Sequence, residues 1–104
     1  MRISDHLYVG KKAGENRFRI VLNLRFSKLQ PEIYVITPAS NGNNILDIYP
    51  SVVFQQDYYR DQDLLVLGVA RGYDEALEVA GQIVNDMYQK TGGFSLQEFM
   101  DSGA

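Results

Sequence analysis

The chain has 104 residues, 45% hydrophobic and 22% charged, with net charge −3, a single histidine and no cysteine. That composition describes one globular domain, residues 1–104, able to bury roughly 60–70% of its unfolded surface, and excludes a disordered chain. It also excludes disulfide and thiol chemistry and leaves no plausible ligand set for zinc or another transition metal.

The amino-terminal stretch MRISDHLYVGKK lacks an apolar core long enough for a secretory signal. The longest apolar run, Leu64 to Ala70, falls far short of the ~20 residues that cross a bilayer. A cytoplasmic protein with no membrane partner is expected. The charge is uneven, however. Residues 1–28 hold seven basic and two acidic groups, net +5, while residues 29–104 hold three basic and eleven acidic, net −8. Such a split marks either a binding face or two halves that neutralise each other once folded.

In chain order, His6–Gly10 reads as a short strand and KKAGEN as a turn. RFRIVLNLRF, residues 17–26, alternates Phe18, Ile20, Leu22, Leu24 and Phe26 with Arg17, Arg19, Val21, Asn23 and Arg25. A period of two predicts an antiparallel strand with an apolar face and an arginine-rich wet face. EIYVIT (32–37) and NILDIY (44–49), bounded by Pro31, Pro38 and Pro50, predict two more strands. The SNGNN between them predicts a hairpin turn rather than a phosphate loop, because it leads into a strand and not into a helix. Residues 51–63 fit a strand, a short helix capped by Ser51, or an irregular loop. Leu64–Ala70, apolar on both faces, predicts a central strand covered on both sides or a strand covered by the helix that follows.

In GYDEALEVAGQIVNDMYQKTGG, Ala76, Leu77, Ala80, Ile83, Val84, Met87 and Tyr88 recur at helical spacing. Glu75, Glu78, Gln82, Asn85, Asp86 and Gln89 take the opposite side. Gly92 or Gly93 ends this helix, and Gly81 inside it suggests the close approach of a strand. Ser95 and Glu98 form a capping box for a second helix, about 96–102, stapled by Phe94 and Phe99. The expected fold is α+β: an antiparallel meander of four to five strands, then one long and one short C-terminal helix packed on one face.

Little chemistry survives inspection. The lone His6 provides no base for a nucleophilic triad. Lys90-Thr91-Gly92 lacks the serine–lysine partner motif that a KTG site requires. Gly68 and Gly72 do not have GxGxxG spacing, and Asp57, Asp61 and Asp63 are too loosely spaced for a calcium loop. No cofactor and no catalysis are expected. Two surface features remain. Tyrosine is abundant, seven of 104 residues, and lysine is scarce; protein interfaces are enriched in tyrosine and arginine and depleted of lysine. The expected function is a protein-interaction or regulatory module, self-association through the sheet face included, with Arg17, Arg19, Asn23, Arg25, Tyr34 and Tyr49 as contact residues. The alternative is single-stranded nucleic-acid binding on the 17–26 strand, with Tyr8, Tyr34 and Tyr49 as neighbours.

Overall fold

The computed structural model describes residues 1–40 and 44–102. Strand β1 (Arg2–Val9) leads through a 3-10 turn (Ala13–Asn16) into helix α1 (Arg17–Arg25). Strands β2 (Ile33–Pro38) and β3 (Leu46–Pro50) follow, then a second 3-10 turn (Ser51–Gln55) and the one-turn helix α2 (Asp57–Arg60). Strand β4 (Leu65–Arg71), the long helix α3 (Tyr73–Thr91) and the short helix α4 (Leu96–Asp101) complete the chain. The fold is α+β.

The four strands form one sheet in the order β1–β4–β2–β3. β2 and β3 pair antiparallel, with Val35 opposite Tyr49 and Thr37 opposite Asp47, as their spacing predicts. The expected turn at Asn41-Gly42-Asn43 lies outside the described residues. β2 also pairs antiparallel with β4, but β4 runs parallel to β1. The sheet is therefore mixed, and the antiparallel meander is corrected. Alternation identifies strands but not their partners: β1 pairs with β4, distant in sequence, because the segment after it is not a strand. β1 is also longer than expected. Between Ile3 and Tyr8 it advances five residues while β4 advances two, so its middle bulges out of register.

The largest correction concerns residues 17–25, which are helical from Arg17 to Arg25. The five alternating apolar residues are also two rows at i, i+4 spacing: Ile20 with Leu24, and Phe18 with Leu22 and Phe26. At 100° per residue those rows point about 200° apart, on opposite sides of a helix. The alternation is thus compatible with a helix that turns only one row inward. Ile20 and Leu24 are each 2% exposed. KKAGEN is correspondingly the helical approach to α1, not a β-turn.

β4 lies inside the sheet and supplies both cores, as its two-sided apolarity predicts. On one side Val66 and Val69, with Ile33 and Val35, pack against Ala13, Ile20, Leu24 and Phe54. On the other, Leu67, Ala70 and Ile36 pack against Ala76, Val79, Ile83, Met87 and Phe99. The two C-terminal helices do share one face. The opposite face is not open, because α1 covers it. Residues 51–63 fold as the second 3-10 turn and α2, and Ser51 caps neither: its hydroxyl donates to the Gln30 carbonyl at 2.7 Å.

Helix α3 has the expected bounds and ends at Gly92, in the left-handed region at φ 74°. Its buried face is rotated from the expected one. Glu75 and Val79 are buried, while Leu77 and Tyr88 are about half exposed. The close approach assigned to Gly81 belongs to Gly68 on β4. A Cβ there would lie 3.0 Å from Val79 Cγ1 and 3.2 Å from the Tyr8 carbonyl, whereas a Cβ at Gly81 meets nothing within 4 Å. At α4, Ser95 accepts from the Glu98 amide at 3.3 Å, as a cap should. Phe99 is buried, but Phe94 is exposed and stacks on Tyr88, centroids 5.3 Å apart. Among the described residues no helix is long and apolar enough to cross a membrane.

Candidate interaction face

Helix α1 is held to the sheet from both ends. At its approach, the Glu75 carboxylate of α3 accepts the backbone N–H groups of Lys12 (2.8 Å), Ala13 (3.1 Å) and Arg71 (3.0 Å). Burial pushes the pKa of Glu75 up, but the three N–H donors and then the charge of Lys12 outweigh it, and the net shift is downward. Gly10 lines this grip, and a Cβ there would overlap the carboxylate. Beyond the helix, Gln30 Nε2 donates to the Ile20 carbonyl at 3.2 Å, and Gln55 Nε2 donates to the Ser27 carbonyl. The sequence assigned Glu75 to a solvated face. Its position in the first turn of α3 was the available signal, since a glutamate there reaches back to free N–H groups before the helix.

With Ile20 and Leu24 turned into the core, the other apolar row faces outward. Phe18 is 89% exposed, Leu22 54% and Phe26 67%; Leu29, past the helix end, is 63% exposed. The row from Phe18 to Phe26 spans about 12 Å at 1.5 Å per residue. Helical geometry puts Arg25 on one flank and Arg19 on the other. Both are exposed, as are Arg17, Lys11, Lys12 and Lys28. Among the described residues, the ion pairs are Arg2–Asp63, Arg60–Asp57 and Arg71–Glu32. None of the six cations between 11 and 28 joins one. Of the basic half, among the described residues, only Arg2 pairs directly with the acidic remainder; the cations on and around α1 do not.

The residues expected to form one contact site are divided by the fold. Arg17, Arg19 and Arg25 are exposed on α1. Asn23 is half-buried, and its carbonyl accepts from the Lys28 amide at 2.8 Å. Arg19 and Asn23 border a cleft of about 330 Å³ that also touches Glu32 and Arg71. Tyr34 and Tyr49 are elsewhere, on opposite faces of the sheet. Tyr34 packs on the α3 side, edge-on to Tyr73 with centroids 5.8 Å apart. Tyr49 packs on the α1 side, and its hydroxyl donates to Asp47 at 3.2 Å. Tyr8 lies on the α3 side and donates to Asp86 at 2.7 Å. Burial first, then Asp86, pushes its hydroxyl up to about 12. An aromatic platform beside an arginine strand is therefore not formed. Among the described residues no three histidine, cysteine, aspartate or glutamate side chains gather in a way that could hold a metal ion.

No protein-family model, curated protein or solved structure matches this chain. The surface chemistry alone bears on function. The outward row of α1 was misread as core because alternation was assigned to a strand. The signal for it is the i, i+4 spacing of Phe18, Leu22 and Phe26, which a helix places in one row.

Proposed function

We propose that this domain acts by contact with protein, presenting the outer row of α1, and performs no chemistry of its own. One observation carries the reading. Phe18, Leu22 and Phe26 stand on the side of α1 opposite its buried pair, with arginine on both flanks. A contiguous apolar patch rimmed by charge is unusual on a soluble monomer and marks an interaction site. Anchors one turn apart are how a helix is recognised by an apolar surface, and aromatic and arginine side chains dominate the energetics of such contacts. Arg17, Arg19 and Arg25 keep the role given them above; Tyr34 and Tyr49 lie outside the face. Nucleic acid is the weaker reading, because aliphatic Leu22 at the centre of the row offers no base a stacking surface.

The test is the Phe18→Ser/Leu22→Ser variant. Both side chains are exposed, so the thermal melt should be unchanged. Proteins that the native domain captures from its source organism should be lost. A stable variant that captures the same proteins as the native chain would defeat the proposal.

A further inference from the structure

We infer that the domain assembles head to tail with copies of itself, α1 of one copy lying on the outer face of α3 of the next. This rests on the reading of α1 as a contact face and names its occupant. The outer face of α3 is only partly covered: Tyr73 lies edge-on to Tyr34 and Tyr88 stacks on Phe94, while each keeps about half its surface in solvent. Tyr73, Leu77 and Tyr88 are each about half exposed along its length. Beside them Asp74 and Glu78 are exposed and, among the described residues, in no ion pair. Tyr73, Leu77 and Gly81 repeat the i, i+4, i+8 spacing of Phe18, Leu22 and Phe26. Gly81 is exposed, and a Cβ there would meet nothing within 4 Å, so another helix can approach the middle of the face closely.

Charge decides which faces meet. Residues 11–28 hold six basic groups and one carboxylate, net +5; beside the apolar row of α3 the exposed charges are the carboxylates Asp74 and Glu78, Glu75 being buried and Asp86 bonded to Tyr8. Helices α1 and α3 cover opposite faces of the sheet. Placing α1 against α1 would gather arginines with only Glu15 to offset them, and α3 against α3 would gather carboxylates. Unlike faces attract: Asp74 and Glu78 lie along one edge of the α3 row and would face the arginine on one flank of the α1 row. An anionic bilayer would suit α1 but would leave the α3 face unexplained; a second copy accounts for both. Because the two faces point away from each other, the contact is heterologous, and each copy binds two neighbours rather than closing as a pair. A single short helix laid on another buries less than a standard interface, so association is weak and concentration-dependent.

The experiment measures mass by sedimentation from micromolar to millimolar chain, on the native protein and two one-faced variants. Phe18→Ser/Leu22→Ser removes the α1 face, and Leu77→Ser/Glu78→Lys removes the α3 face. All four positions are exposed, and melting curves confirm that both variants fold. The native mass should climb past a dimer with concentration and fall back as salt screens the charged faces. Each variant alone should stay monomeric. Their equimolar mixture should form a one-to-one pair and stop there, since each supplies the face the other lacks. A native chain that stays monomeric overturns the inference; if the α1 variant still loses captured proteins, the proposed function stands without it. A native dimer untouched by the α3 variant overturns it in favour of a symmetric contact. A monomer that sediments with phosphatidylserine vesicles overturns it and assigns α1 to a membrane. Assembly lost in the α3 variant but untouched by the α1 variant overturns the inference, and the capture experiment then decides the proposed function separately.

Discussion

Helix α1 buries Ile20 and Leu24 and leaves Phe18, Leu22 and Phe26 outside, whereas α3 buries Ala76, Val79, Ile83 and Met87 and leaves Tyr73, Leu77 and Tyr88 only half exposed, beside Asp74 and Glu78. Both cover the same sheet, from opposite faces. The long helix has one broad apolar stripe, and burial is rotated to one edge of it, leaving Leu77 and Tyr88 half exposed on the other. The short one has two apolar rows on opposite sides, and periodicity cannot say which is the core. The difference teaches that apolar spacing measures how many surfaces a helix can serve. In α1 there are two, and only one belongs to the fold.

The sharpest way to break this comparison is to truncate both rows of α1. Ile20→Ala and Leu24→Ala should each cost about 2–5 kcal/mol, as buried large-to-small changes do. Phe18→Ala and Leu22→Ala should fall within about 0.5 kcal/mol of the native chain, as exposed substitutions do. Denaturant melts of the four variants check it. Similar losses at all four would restore the strand, in which the five apolar residues share one face.

A smaller effect tests the tie between the two helices. Glu75→Gln should destabilise by roughly 1–3 kcal/mol, because an amide nitrogen replaces one acceptor among buried N–H donors. The folded carboxyl titrates below its ordinary range, so its contribution is present above the unfolded pKa and is lost as pH falls through the lower folded value. The gap between native and Glu75→Gln stability should therefore be widest near neutrality and shrink in acid. A gap independent of pH would show that the carboxylate charge is not what holds the approach to α1.

The smallest effects separate two glycines. Gly68→Ala pushes a methyl against Val79 and the Tyr8 carbonyl, and overpacking of this kind costs about 1–3 kcal/mol. Gly81→Ala has open space and a helical backbone and should stabilise the isolated chain by up to ~1 kcal/mol. Melts at low micromolar chain keep any association out of the measurement. If Gly81→Ala destabilises, the outer face of α3 is not free.

Much of the fold was legible because local rules and burial agreed. β2 and β3 are bounded by proline, β4 is apolar on both faces as an interior strand must be, and α3 carries its own stripe and terminating glycine. The contact residues were legible only in part. Arg17, Arg19 and Arg25 are exposed, as alternation required, but Tyr34 and Tyr49 were grouped with them on the assumption that 17–26 lay in the sheet. Once that segment is a helix, its neighbours change.

What the sequence by itself determined is the inventory: an α+β chain, a basic segment and an acidic remainder, and five apolar residues between Phe18 and Phe26 whose partners it does not name. Tertiary structure decided which of them are buried. β4 takes the place beside β1, so residues 17–25 close the core from above the sheet rather than extending it. Two side chains one turn apart fill that space. The other three have no further core to enter, since Val35, Val66 and Val69 are already covered, and so they face outward. Spacing is a property of the chain, but which row is buried depends on what lies opposite.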